Sequence, residues 1–163
     1  MQTVNSLTDL SGAPYVITIG EKDYPLCRLQ PGDMAAAHAH VISKRLTMYA
    51  QTTRAFNYPP EVHALSNAAI LSHTMTLQEL WNDWDAVTFM LHASCTRGGM
   101  KLPLSTFRDT LQPLAYGWLR DVLALISGWI TSEQLKDLAA ELDARTKGED
   151  NADRPFDTIL PTT

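Results

Sequence analysis

Residues 76–99 read TLQELWNDWDAVTFMLHASCTRGG, and this stretch decides the fold class. Thr76 with Glu79 three residues on is a capping-box pattern, in which hydroxyl and carboxylate each satisfy an amide left free at a helix start. Behind it Leu77, Leu80, Trp81, Trp84, Val87, Thr88 and Leu91 recur at helical spacing. That stripe predicts one amphipathic helix with Asn82, Asp83 and Asp85 facing out. Gly98-Gly99 is its expected stop, since glycine tolerates the positive φ that often follows a helix.

The chain reads as helical on both sides of this segment. Downstream, Ser105 is placed to cap another helix, and Pro113 falls inside that run. A proline there removes a backbone donor and crowds the preceding turn, so a kink or two abutting helices is expected. Leu114, Trp118, Leu119, Val122, Leu123, Leu125 and Ile126 make the second part apolar on most sides, as in a bundle centre or a subunit interface. Val122–Ile130 is far shorter than the about 20 residues of a membrane span. Thr131-Ser132-Glu133-Gln134 is a second capping box, followed by Leu135, Leu138, Ala139 and Leu142, with Gly148 as the close.

Upstream, Asp33 is a suitable N-cap for a helix to about Gln51, with Ala35, His38, Ile42, Leu46 and Tyr49 on one face. Asn57-Tyr58-Pro59-Pro60 breaks the chain. A helix from Pro60 to His73 follows, with Val62, Leu65, Ala69 and either Ile70 or Leu71 expected inward. Ahead of these, Tyr15–Ile19, a turn at Gly20–Asp23, and Tyr24–Leu29 form a β-hairpin signal. Pro25 marks the second strand as edge-like. The expected fold is mainly α: a compact bundle of five or six helices opened by a short N-terminal β-hairpin. Residues 1–14 read as a flexible arm, 15–148 as a single helical domain with the hairpin at 15–29, and 149–163 as a polar tail.

The chain has 163 residues, 45% apolar and 19% charged, which fits one globular domain. Thirteen Lys and Arg against eighteen Asp and Glu give −5 at pH 7, so no basic surplus is available for phosphates and direct nucleic-acid binding is not expected. Most of the acidic surplus sits in residues 131–163, with eight acids and four bases. The polar N-terminus lacks a secretory pattern. Cys27 and Cys95 form no CxxC pair, and a reduced chain is expected.

Chemical motifs are sparse. His38 and His40 look like a ligand pair, but two residues on a helix point about 200° apart. His63, His73 and His92 would converge only through tertiary structure, and the sequence holds neither HExxH nor a Cys/His quartet. Cys95 sits near a helix C-terminus, whose partial negative charge opposes a reactive thiolate. Trp81 and Trp84 lack interleaved Lys or Arg, which favours core packing over base stacking.

The segment VITIGEKDYPLCRLQPGDM, residues 16–34, resembles the opening of small morphogenesis and structural proteins of tailed bacteriophages, closest to tail assembly chaperone-like proteins. Val16, Ile17, Ile19, Gly20, Tyr24, Leu26 and Leu29 carry the likeness, which covers about the first fifty residues. It implies a non-enzymatic protein with no cofactor. Its partners would be other phage structural proteins or further copies of itself, met in the host cytoplasm during assembly or in the virion. The expected contact residues are Tyr15, Ile17, Ile19, Tyr24 and Leu26 on the hairpin, Trp129 and Ile130 after the apolar helix, and Phe156, Ile159 and Leu160 in the tail. Two alternatives remain at this level. One is a regulatory helical module that binds a peptide or small ligand on the Trp81/Trp84 helix. The other is a small metal-dependent enzyme using His63, His73 or His92.

Overall fold

The computed structural model describes residues 3–6, 15–54, 56–131, 133, 134, 137 and 140. Three strands, β1 (Thr3–Ser6), β2 (Tyr15–Ile19) and β3 (Lys22–Leu26), form an antiparallel sheet in that order. Six helices with described bounds follow: α1 (Pro31–Thr53), α2 (Pro60–Ser72), α3 (Leu77–Asn82), α4 (Trp84–Arg97), α5 (Leu104–Leu111) and α6 (Tyr116–Ser127). The architecture is the helical bundle with an N-terminal hairpin that the periodicities predict. Part of the expected arm belongs to the sheet, because Thr3–Ser6 pairs with β2 in the register Thr3↔Thr18 and Val4↔Ile17.

The hairpin turns on Gly20, whose φ of +64° lies in the left-handed region that favours glycine. Ile17, Ile19, Tyr24 and Leu26 all point to one face and are buried. That face packs on the helices, with the Tyr24 ring 5.7 Å from that of Phe107. Two-residue alternation turns the backbone of Asp23, Pro25 and Cys27 toward the outer edge of β3. The end of α4 meets that edge. Cys27 N–H donates to the Ser94 carbonyl at 3.3 Å, and Ser94 Oγ donates to the Cys27 carbonyl at 2.5 Å. Pro25, with no N–H to satisfy, lies against Gly98. A strand pairing on this edge would displace α4, so the exposed β3 edge expected from the sequence is already taken.

α4 is the central helix, touching α1, α3, α5, α6 and β3. Its Ala86, Val87, Met90, Leu91 and Cys95 are buried. The single helix expected over 77–97 is two. Asp83 leaves helical geometry at φ −96°, ψ 118°, and its Oδ1 accepts from the amides of Asp85 and Ala86 at 2.9 and 3.0 Å. The Thr76–Glu79 capping box forms as expected, with Thr76 N–H donating to Glu79 at 2.6 Å and Glu79 N–H to Thr76 Oγ1 at 3.2 Å.

Pro113 lies between α5 and α6, which abut rather than kink. α5 begins after Pro103, two residues earlier than the expected cap at Ser105, and Pro103 makes no side-chain cap bond. In α6, Trp118, Leu119, Val122, Leu123, Leu125 and Ile126 are buried, so this run is intramolecular core. Gly128 at φ +79° ends α6, with Gly128 N–H donating to Leu125 and Trp129 N–H to Ala124, both at 2.9 Å. That pair of bonds is a Schellman closure. The second capping box also forms, with Thr131 N–H donating to Gln134 Oε1 at 2.8 Å. Leu135, Leu138, Ala139, Leu142, Gly148 and the tail 149–163 lie outside the described residues.

α1 starts from Gln30 rather than Asp33. Asp33 occupies the first turn, where its carboxylate accepts the Gln30 N–H at 2.7 Å and pairs with Arg97 at 2.6 and 2.8 Å. The buried stripe of α1 is Ala37, Val41 and Ile42, not the one built on Ala35 and His38. Only the first half of α1 meets the core. α2 runs back along α1 from Tyr49, which bonds His63, to His38, which bonds the His73 carbonyl.

Candidate interaction surface

The sequence offers three candidate contact groups, and the structure separates them. The hairpin group is spent inward: Ile17, Ile19, Tyr24 and Leu26 are core, and Tyr15 packs half-buried against it. Their reading as partner contacts is therefore corrected. An apolar face on a short hairpin finds its partner in the nearest helices, which here belong to the same chain. Trp129 is 51% exposed, yet its ring stacks on Trp81 at 4.5 Å, while Ile130 packs half-buried on the core. Phe156, Ile159 and Leu160 lie outside the described residues.

The histidines are placed apart. His38 Nε2 donates to the His73 carbonyl at 3.1 Å, Tyr49 and His63 share a hydrogen bond at 3.1 Å, and His92 Nε2 donates to the Leu102 carbonyl at 2.8 Å. Among the described residues no three His, Cys, Asp or Glu side chains gather as a metal site. Burial pushes the Cys95 thiol up to about 12, which keeps it protonated. Burial does the same for the Tyr116 phenol, whose hydroxyl donates to the Trp81 carbonyl at 3.0 Å.

The carboxylates expected to be solvated cross-tie three helices instead. Asp85 pairs with Lys44 of α1 at 2.5 Å and with Arg108 of α5, and Asp83 faces Arg45 at 3.6 Å. His40 stacks on Phe89 beside them, ring centroids 4.8 Å apart. Burial, reinforced by Lys44 and Arg108, holds the His40 imidazole below its ordinary range. This cluster ties the middle of α1 to the start of α4 and to α5.

What leaves the body is the surface that sequence reasoning missed. α2 packs on α1 and has no buried side chain. His63, Ser66 and Ile70 are half-buried, the rest exposed. Leu65 is 72% exposed, Leu71 62%, and Val62 and Met48 are open as well. At the tip Phe56 and Tyr58 stack on one another at 5.6 Å, both exposed. Among the described residues, six of the eight large exposed apolar side chains thus lie within residues 48–71. Of the residues expected inward on α2, Val62, Leu65, Ala69 and Leu71 are exposed and Ile70 is half-buried, because that helix packs chiefly on α1. Glu61 is its one charged residue.

Two open hollows among the described residues lie apart from each other. One lies between β3 and the end of α4, lined by Lys22, Tyr24, Pro25 and Met100. The other lies at the root of the tip, between Tyr49, Thr53, Phe56 and His63. No helix among the described residues is long and apolar enough to cross a membrane. Comparison with known proteins finds no matching family model, no matching curated protein and no matching solved structure.

Proposed function

We propose that this chain is a non-enzymatic assembly protein that works through protein–protein contacts. It would act as the phage tail assembly chaperone-like proteins and small virion components do that its opening residues resemble. One observation carries the reading: a helical hairpin stands off a well-packed body with its apolar side chains uncovered. An apolar patch of about 300–600 Å2 is the upper end of what a monomer shows and is commonly functional. A body that buries Leu119, Leu123 and Ile126 completely does not need Val62, Leu65 and Leu71 for its own core. Their retention in the open is explained by a partner.

The contact works as helix docking, in which leucines on one helix fill gaps between those on another. The hairpin edge of β3, closed by α4, takes no part. The experiment is site-specific photocrosslinking from position 65 in the producing cell, with the crosslinked peptide sequenced. The expected product is a discrete polypeptide, either this chain or a structural protein of the same particle. Crosslinking to solvent alone, with an efficient control at the stacked Trp129, would remove the proposal.

A further inference from the structure

We infer that the open face of α2 pairs with α2 of a second copy, antiparallel and about a two-fold axis. This rests on the reading of the α1–α2 hairpin as the contact element and names its partner. At 100° per residue, Glu61, Leu65, Ala68 and Ser72 form a seam on the side of α2 away from α1. Their spacing of four, three and four is the alternation by which two helices pack along a common line. All four are exposed.

The seam is complementary to itself. A two-fold contact matches residue i with j and j with i. With the axis between residues 66 and 67, Leu65 meets the partner's Ala68. On one flank Val62 lies near the partner's Ala69, and on the other Leu71 lies near the partner's Ala64. Each large exposed side chain therefore faces an alanine, which fills space without overlap. Ala64, Ala68 and Ala69 are all exposed.

Charge agrees with the same register. Glu61 is the sole charge on α2, and it falls beside the partner's Ser72, next to the partner's His73, rather than beside its own copy. A parallel pairing would set the two Glu61 carboxylates side by side, a destabilising arrangement. A heterologous partner bearing a charged stripe would find Glu61 alone as counter-charge along the seam. The 13 residues of α2 are fewer than the roughly 20–30 a side of a standard stable interface, so the pairing is weak and concentration-dependent.

Sedimentation equilibrium on the full chain, from about 1 μM to about 1 mM, covers the range where a weak contact titrates. The expected result is a monomer at the low end and a mass doubling toward the high end. Leu65→Glu, at a position exposed enough to leave folding intact, is expected to raise the dissociation constant at least tenfold. In a Cys27→Ser background, a mixture of Leu65→Cys and Ala68→Cys chains is expected to form a disulfide-linked heterodimer faster than either chain links to itself. A monomer throughout the range overturns the inference, as does a dimer indifferent to Leu65→Glu or one that links in another register. If the chain stays monomeric while position 65 crosslinks a different polypeptide, self-pairing is wrong and the protein-contact function stands. Flotation of a monomer with phospholipid vesicles likewise overturns it and assigns the face to a membrane.

Discussion

Gly98 has an ordinary φ of −74°, so its role is space rather than conformation. A Cβ there would stand 2.8 Å from Pro25 Cβ and 2.9 Å from the Pro25 carbonyl oxygen. Backbone cannot swing aside as a long side chain can. Gly98→Ala is expected to lower stability by about 1–3 kcal/mol, the usual cost of overpacking. Gly32, inside α1 with open space around it, makes the control: Gly32→Ala is expected to gain about 0.5–1 kcal/mol. Urea midpoints of the two variants check both signs, and a neutral Gly98→Ala would refute the close approach of α4 to β3. His40 supplies a pH dependence. Its folded-state pKa lies below the unfolded value of about 6.5. The unfolded chain then takes up the proton first, so stability is full above that pH and declines as pH falls below it toward the folded value. Lys44 and Arg108 oppose protonation and Asp83 favours it, with burial the largest cause. His40→Phe keeps a ring against Phe89 and removes the titration. Unfolding free energies measured at pH 7.5 and 5.5 are expected to differ less in this variant than in the parent.

Asp83 decides whether residues 77–97 make one helix or two. Periodicity alone does not see the break, because Trp81 and Trp84 fall on the same side of an uninterrupted helix. The legible signal was Asn82-Asp83, a strong N-cap pair lying inside an apolar stripe. Asp83→Ala is expected to cost about 1–2 kcal/mol for the lost cap. Asp83→Asn caps equally well and loses only the Arg45 pair, which at 3.6 Å and half-exposed is worth about 0.5 kcal/mol or less. Thermal unfolding of the two variants separates the terms; equal losses would mean that the ion pair, not the cap, holds the junction. Both capping boxes, at Thr76 and Thr131, were readable because their hydrogen bonds are local. The start of α1 is at Gln30 rather than at the expected Asp33 for the opposite reason. The partner that fixes Asp33 is Arg97, 64 residues away, and no local pattern announces it.

At the scale of the molecule, the fold class is legible in the sequence and the exposed apolar face of α2 is not, for one physical reason. A stripe such as that of α4 says which side is apolar, and the bundle supplies the rest. α2 is apolar on nearly every side, so its sequence holds no amphipathic contrast to show which side has a neighbour. Leucines favour the inward side in a typical helix, and the apolar side chains of a lone hairpin need covering, so the sequence points α2 inward and the hairpin outward. The structure exchanges the two: β2 and β3 complete the core around Phe107, while α2 hangs on α1. Stability should be distributed accordingly. Leu123, wholly buried beside α4, is expected to cost about 2–5 kcal/mol when cut to alanine. Leu65→Ala, at 72% exposure, should stay within about 0.5 kcal/mol. Hydrogen exchange reads the same gradient without mutation. At low micromolar concentration, amides of α4 and α6 are expected to exchange only through global unfolding, and those of α2 through local opening, because few buried contacts hold it. At high concentration, the same α2 amides should slow if a second copy covers them, while α4 and α6 stay unchanged. Protection in α2 equal to that of α4 at every concentration would mean that α2 shares the core's cooperativity, and the division into a body and a projecting hairpin would be wrong.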